Sequence, residues 1–172
     1  TVLTARGLSK TYVADGVQTH VLGGVDLDIR EGDFTSIMGP SGSGKSTLLY
    51  CLSGMDKPTS GSIVFQGKDI AHASEAELAH LRAQSFGFVF QAASLVSNLT
   101  LFENIAVPGY LKEGRNADQT RTVAQELIRR MDLEEVAAHL PSQASGGQKQ
   151  RCAVARAVVN EPALVFADEP TG

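Results

Sequence analysis

The sequence predicts an α/β fold in which a helical subdomain is inserted into a core of strands and helices. Strand-like segments dominate up to Gln91, helical segments dominate from there to Asn160, and the chain then returns to one short apolar strand. That order is typical of an α/β core interrupted by an insertion. With 172 residues, 42% of them hydrophobic and 20% charged, the chain is long enough to bury a core of its own.

Composition excludes several classes of function. The net charge of −4 argues against nucleic-acid binding, which normally requires a basic face. No apolar run approaches the roughly 18 residues of a membrane span, and no signal peptide is recognisable, so we expect any membrane role to be peripheral. Cys51 and Cys152 lie in predicted helices without paired spacing. We interpret both as reduced packing residues of a cytoplasmic protein.

The first half of the chain alternates strand patterns with turn residues. A strand is predicted over residues 2–12 from their strand-like composition. A second strand is predicted over residues 25–29, where apolar and acidic residues alternate, with a turn at Ala14-Asp15-Gly16 between the two. The apolar run over residues 34–38 predicts a buried strand, and residues 45–53 predict a helix. The remaining elements are a strand over 62–65, a turn at Gln66-Gly67, a helix opened by a capping box at Ser74, and a strand over 86–90.

The second half is mainly helical. Helices are predicted over residues 99–107, 118–131, 133–140 and 147–159, and a strand over 163–167. We therefore assign residues 1–91 and 161–172 to the core and residues 92–160 to the helical subdomain.

One stretch indicates a nucleotide site. Residues 39–47 read GPSGSGKST and match the pattern G-x-x-x-x-G-K-[ST] between a predicted strand and a predicted helix. Its glycines allow backbone N–H groups to face anionic oxygens, and the helix that follows adds its positive dipole end. Lys45 would contact the outer phosphates and the Ser46 hydroxyl would ligate Mg²⁺. The alternative interpretation is a Gly/Ser-rich surface loop, but such a loop would not require a strand before it and a helix after it.

Two further segments carry polar groups suited to the same chemistry. The strand over 163–167 ends in Asp168 and Glu169, where one carboxylate can hold Mg²⁺ and the other can polarise an attacking water. Without the phosphate loop these acids would read as a solvated strand end. The run from Ser145 to Gln148 leads into a helix start, which suits either an anion or a simple helix cap.

Together these segments resemble an ATP-binding-cassette (ABC) ATPase domain over essentially the whole chain. The resemblance rests on the phosphate loop, Gln91, the ASGGQ run at 144–148 and the VFADE run at 165–169, in that order. Residues 37–49 and 56–61 resemble the lipoprotein-release and macrolide-export subgroup of bacterial transporters. The resemblance implies a RecA-like phosphate-loop NTPase core, with a mostly parallel sheet, antiparallel N-terminal strands and an inserted helical subdomain.

The resemblance also assigns residue roles. It implies that Tyr12 stacks on adenine, that Gln91 contacts Mg²⁺ and the reacting water, and that Ser145 and Gly147 contact a γ-phosphate bound by a second copy. The residues implied to contact ATP are Tyr12, Gly39, Ser41, Gly42, Ser43, Gly44, Lys45, Ser46, Thr47, Ser145, Gly146, Gly147 and Gln148. The implied catalytic residues are Lys45, Gln91 and Glu169, and the implied Mg²⁺ ligands are Ser46, Gln91 and Asp168.

The sequence departs from the family pattern at two points. Ala144 stands where the signature usually begins with leucine. The sequence ends at Gly172, whereas the family continues with an interface loop, another core strand and a switch histidine, and no histidine follows the acidic strand. The histidines are His20, His72, His80 and His139. We therefore expect a C-terminally truncated chain that lacks one sheet strand and does not turn ATP over alone.

The resemblance implies a head-to-tail dimer that hydrolyses two ATP molecules to drive a membrane permease from the cytoplasmic face of the inner membrane. The permease would dock along residues 92–102, and no nucleic acid is involved. A chromosome or repair ATPase would need a long coiled coil between the phosphate loop and the signature, where this sequence has short elements. A soluble cassette of the translation-factor type and a module that binds nucleotide without turnover stay open as alternatives.

Overall fold

The structure, a computed structural model, describes residues 1–169. The chain divides into two compact units, Thr1–Ala79 and His80–Gly172, and the boundary falls within helix α2 (Glu75–Ser85). The expected truncation concerns the chain beyond Glu169 and lies outside the described residues.

The first unit is built on a four-stranded antiparallel sheet in the order β2-β1-β3-β4. The strands are β1 (Leu3–Ala14), β2 (Val17–Ile29), β3 (Ser60–Phe65) and β4 (Lys68–Asp69). Between β1 and β2, Asp15 and Gly16 have φ angles of 50° and 78°, as a tight hairpin turn of type I′ requires. The predicted turn is confirmed, and the predicted strand over 25–29 is the end of the longer β2.

Helix α1 (Lys45–Leu52) and the sheet supply the apolar core of this unit. The buried apolar side chains on the sheet are Leu3, Ala5, Leu8, Leu22, Ile29, Ile63 and Phe65. On α1 the buried residues are Leu48, Cys51 and Leu52. Burial raises the pKa of the Cys51 thiol to about 11, so this cysteine is an unreactive packing residue, as predicted.

The predicted buried strand over residues 34–38 is wrong for this structure. Phe34 is 99% exposed and Met38 is 89% exposed, and neither lies in a strand. Among residues 1–169 no strand pairs with this segment. A strand satisfies its N–H and C=O groups only through a neighbouring strand, so an apolar run without such a ladder stays irregular.

The second unit contains a parallel pair of strands, β5 (Phe86–Val89) and β6 (Leu164–Ala167). Phe88 lies opposite Phe166 in the register, and their rings stack with centroids 5.7 Å apart. Phe86 contacts Phe166 edge to face at 5.2 Å. These aromatic contacts stabilise the pairing because they bury large apolar surfaces on neighbouring strands.

Three helices pack together in the same unit, namely α3 (Leu101–Gly109), α4 (Ala117–Arg130) and α5 (Gly146–Val158). Their shared buried cluster consists of Leu101, Ile105, Ala106, Ala124, Ile128, Leu133, Cys152, Ala155 and Val159. The apolar face predicted for α4 does pack on this cluster. No helix among the described residues is long and apolar enough to cross a membrane.

The predicted helix over residues 133–140 is wrong. Only a short 3-10 turn forms there, at Glu134–Val136, and a second one follows at Pro141–Gln143. The carbonyl groups of Ala137 and His139 accept hydrogen bonds from the first N–H groups of α3, at Phe102 and Leu101. Those carbonyls are thereby engaged outside the segment and cannot accept the i+4 hydrogen bonds of an α-helix.

Gly87 sets the distance between β5 and α5. A Cβ atom at this buried position would lie 2.2 Å from the carbonyl oxygen of Ala157. Because that neighbour is main chain, it cannot move aside as a flexible side chain can. Only glycine allows this close packing of α5 on β5.

Asn104 ties the start of α3 to the segment before it. Its side chain is 1% exposed, accepts from the N–H of Val96 at 2.7 Å, and donates to the carbonyls of Val96, Leu99 and Thr100 at 2.9–3.1 Å. Asn104→Ala should lower the free energy of unfolding by about 2–3 kcal/mol, because buried polar groups lose their partners.

Chemical denaturation checks this prediction, with Asn98→Ala as the matched control. Asn98 is an exposed asparagine six residues earlier, and its substitution should change stability by less than about 0.5 kcal/mol. Equal effects of the two variants would contradict the role assigned to Asn104.

Candidate nucleotide site

The loop over residues 39–44 turns sharply into α1. The N–H of Ser43 donates to the Pro40 carbonyl at 3.2 Å, and Gly42 and Gly44 have φ angles of 79° and 89°. A Cβ atom on Gly44 would lie 3.0 Å from the Val21 carbonyl oxygen. Gly44 is therefore required both by its backbone conformation and by the close approach of β2.

The start of α1 differs from the other helix starts. Helices α3, α4 and α5 each begin with a capping box, in which side chains satisfy the first backbone N–H groups. Helix α1 begins at Gly44 with no side-chain cap, and its first turn carries no acidic residue. Its first N–H groups and its positive dipole end are thus available to an anion.

Lys45 lies folded back over this loop. Its ammonium group donates to the carbonyl oxygens of Gly39 and Pro40, each at 3.0 Å. An ammonium group held by two carbonyls at the centre of a phosphate-type loop can exchange them for phosphate oxygens. Ser46 and Thr47 follow in the first turn of the helix and are partly buried.

Tyr12 lies in the same unit and is linked to the residues that follow α1. Its hydroxyl donates to Asp56 at 2.7 Å, and this bond raises the pKa of the phenol. Lys10 completes the group through an ion pair with Asp56 at 2.6 Å.

Sequence reasoning missed Lys10 and Asp56 as partners of Tyr12. The two residues are 46 positions apart, and Lys10 reads as an ordinary polar residue of a strand. Residues 56–61 contribute to the family resemblance, but no local pattern indicates which side chains Asp56 meets.

The second unit gathers the other predicted residues at one sheet edge. Because β5 and β6 run parallel, their carboxyl ends meet at the same edge. Gln91 follows β5, and Asp168 and Glu169 follow β6, with the Asp168 N–H donating to the Val89 carbonyl at 2.9 Å. Asp168 is partly buried, whereas Gln91 and Glu169 are exposed.

The run at 145–148 forms the start of α5. The Ser145 hydroxyl accepts from the Gln148 N–H at 3.2 Å, and the Gln148 side chain accepts from the Ser145 N–H at 2.8 Å. This is a capping box, the helix-cap alternative that the residues alone had left open. Gly146 and Gly147 are exposed beside it, and an added Cβ on Gly146 would meet nothing within 4 Å.

The donor set predicted for a metal ion consists of a hydroxyl at Ser46, a side-chain amide at Gln91 and a carboxylate at Asp168. Oxygen donors with a single carboxylate suit Mg²⁺, which keeps several waters and phosphate oxygens in its coordination sphere. Among the described residues, no group of three or more His, Cys, Asp or Glu side chains could hold a metal ion by itself. The three predicted oxygen donors, with one carboxylate among them, fit an ion that also binds phosphate oxygens.

Gly44→Ala should lower the free energy of unfolding by about 2–3 kcal/mol, because it combines a left-handed backbone with the contact at Val21. Gly42→Ala is the matched control: it has the same left-handed φ and no atom within 4 Å of an added Cβ, so we expect a loss of about 1 kcal/mol. Thermal or chemical unfolding measures both. Equal losses would show that the contact with β2 does not matter.

Comparison with known proteins places these features in a family. Residues 22–172 match the family described as ABC transporter. The lipoprotein-releasing system ATP-binding protein LolD of Shewanella frigidimarina is 43% identical over 99% of this chain and 71% of its own length. The LolD protein of Shewanella oneidensis is 42% identical over 99% of this chain and 74% of its own length.

Solved structures agree with the sequence relatives. The dimeric, post-hydrolysis state of the ATP-binding cassette MJ0796 bound to ADP and Pi superimposes with a TM-score of 0.91 at 40% identity, covering 98% of this chain and 74% of that one. A second dimeric structure of MJ0796, described as a bacterial ABC transporter cassette, gives the same TM-score and covers 99% and 75%. The predicted α/β phosphate-loop fold is confirmed. This chain belongs to the ABC transporter family.

Proposed function

We propose that this chain is the ATP-binding, ATP-hydrolysing subunit of a transporter of the lipoprotein-release or export type, and that it works as a head-to-tail dimer. The observation that carries the proposal is the uncapped start of α1, with Lys45 folded over the loop in front of it. The LolD relatives, each named as an ATP-binding protein of a lipoprotein-releasing system, support the transport class.

In this proposal the phosphates of ATP occupy the loop at the start of α1. The Lys45 ammonium leaves the carbonyls of Gly39 and Pro40 and donates to phosphate oxygens, while the N–H groups of the loop and first turn bind the rest. Tyr12 stacks on the adenine ring. The loop residues involved are Gly39, Ser41, Gly42, Ser43, Gly44, Lys45, Ser46 and Thr47.

The proposal also assigns residues to a metal ion and to the attacking water. Ser46, Gln91 and Asp168 would hold Mg²⁺, which neutralises phosphate charge when bound. Glu169 is an exposed acid one residue beyond Asp168, so it can orient or deprotonate a water for attack on the γ-phosphate.

The signature run would complete the site of the opposite subunit. Ser145 and Gly147 would approach the γ-phosphate bound by the partner copy, with Gly146 and Gln148 beside them. The open space over Gly146 and the exposed start of α5 leave room for such a ligand. MJ0796, which is 40% identical to this chain, is dimeric in both solved structures, and this supports the arrangement.

We further propose that residues 1–91 and 161–172 act as the ATP-binding core and residues 92–160 as the helical subdomain. A permease would dock along residues 92–102, which would hold the subunit at the cytoplasmic face of the inner membrane. Hydrolysis removes the γ-phosphate that joins two subunits, so the dimer opens and the permease responds.

Two other classes of protein remain as alternatives to be tested. A soluble cassette of the translation-factor type would show no contact with a membrane partner. A module that only binds nucleotide would bind ATP but show no turnover even in a form as long as the relatives. The homology to LolD proteins favours the transporter.

Glu169→Gln should abolish turnover without preventing ATP binding, because the amide keeps its size but cannot accept the proton of the attacking water. In a form extended to the length of the relatives, we expect the steady-state rate to fall by on the order of a hundredfold. We also expect a dimer to accumulate in MgATP, measured by sedimentation velocity.

Glu135→Gln, at an exposed acid of the first 3-10 turn, is the control and should leave rate and association unchanged. A normal rate in Glu169→Gln would contradict the role of that residue. Monomers at every concentration tried would contradict the shared site.

A cysteine placed at Ser94 or Ser97 should crosslink to a co-expressed membrane partner, because both serines are exposed in the proposed docking segment. The native Cys51 and Cys152 should not compete, since burial raises the pKa of both thiols to about 11. Ser142→Cys, at an exposed serine outside the segment, is the control. Absence of any crosslink from the segment would count against the transport role.

A further inference from the structure

Lys10 is a buried cation with a specific set of partners. Its side chain is 11% exposed, and its ammonium group donates to Asp56 Oδ1 and to the Lys57 carbonyl, both at 2.6 Å. A buried charge is costly unless it is paired and hydrogen-bonded, and an ion pair of this kind adds little net stability. The cluster therefore calls for an explanation other than stability.

The same carboxylate also holds Tyr12. The phenol donates to Asp56 Oδ2 at 2.7 Å, so the two oxygens of one carboxylate are divided between Lys10 and Tyr12. The Lys10 ammonium group lies 4.7 Å from the centroid of the Tyr12 ring. One end of the ring is thus anchored and one face is covered by a cation, while the residue as a whole remains 41% exposed.

Asp56 is in turn attached to the helix that begins at the phosphate loop. Its N–H and that of Met55 both donate to the Tyr50 carbonyl in the last turn of α1, at 3.1 Å and 2.9 Å. Burial opposes the negative charge of Asp56, but the hydrogen bonds from Lys10 and Tyr12 outweigh it, and the pKa of this carboxyl is lowered. The carboxylate is therefore charged at neutral pH and can accept from both partners.

We propose that Lys10 and Asp56 are positioning residues that hold the Tyr12 ring at a set place relative to the phosphate loop, so that its uncovered face receives the base of the bound nucleotide. The proposal rests on the proposed function, because it takes for granted that the loop binds the phosphates. It assigns base affinity to three residues, of which only Tyr12 touches the nucleotide.

The test separates the base from the phosphates by using two ligands, ATP and inorganic tripolyphosphate, measured by calorimetry on the same protein. Stacking of a base on an aromatic ring contributes substantially to affinity, so Tyr12→Ala should weaken ATP binding by on the order of tenfold or more. Asp56→Asn should weaken ATP binding by about threefold to tenfold. Neither variant should change tripolyphosphate binding by more than about twofold.

Tyr12→Phe keeps the ring and removes only the anchor, so it should resemble Asp56→Asn. The double variant should then be no weaker than either single one, since both remove the same hydrogen bond. Asp28→Asn is the matched control, because it breaks another ion pair of β1, with the exposed Arg6 at 2.7 Å. It should leave the binding of both ligands unchanged.

Each outcome decides a separate question. Equal losses of ATP and tripolyphosphate binding in Asp56→Asn would show damage to the loop or the fold and would overturn positioning. If ATP binding weakened in Tyr12→Ala but not in Asp56→Asn or Tyr12→Phe, stacking of the base on Tyr12 would stand. The positioning role of Lys10 and Asp56 would be overturned. If the unmodified chain binds neither ligand, the proposed function fails, and this inference fails with it.

Discussion

The unsatisfied backbone N–H groups at the start of α1 are the constraint on which the nucleotide site depends. A helix start normally obtains a side-chain cap, and the four other α-helices among the described residues each have one. At α1 the chain instead uses Gly44 in a left-handed conformation, pressed against β2. A phosphate is then the natural partner for these groups, because it brings both acceptor oxygens and negative charge. Lys45 folds over the loop and brings its own positive charge there.

A second constraint arises from the parallel pairing of β5 and β6. Parallel strands place their carboxyl ends at the same edge of the sheet. Gln91 and Asp168, which are far apart in sequence, therefore both follow strands at one edge, and no direct contact between them is needed. The stacked rings of Phe88 and Phe166 hold the register. A one-residue slip would turn the side chains of the strand to the opposite face, and the residues beyond it would shift accordingly.

Local chemistry could be predicted from the sequence, whereas features that depend on distant partners could not. The Asp15–Gly16 turn and the phosphate loop are encoded by a few adjacent residues, and the structure has both. The strand expected at 34–38 needs a ladder that the described residues do not supply. The helix expected at 133–140 does not form, because two carbonyl groups of this segment accept hydrogen bonds from N–H groups at the start of α3. Neither event leaves a trace in hydrophobic periodicity. The roles assigned to Tyr12, Ser145 and the metal ligands came from family resemblance and stay predictions.

The contact at Gly87 limits which substitutions the chain can accept. The main chain of Ala157 in α5 lies where a Cβ atom of residue 87 would stand, so α5 can approach β5 this closely only while that residue is glycine. Most cores drift as compensating substitutions accumulate, and their helices shift by small amounts with each exchange. At position 87 no side-chain exchange can compensate for a larger residue, because the atom that would clash belongs to the main chain. Substitutions elsewhere in the helical cluster can be accommodated by repacking of side chains, whereas the distance between α5 and the strand that leads to Gln91 is set by glycine at position 87.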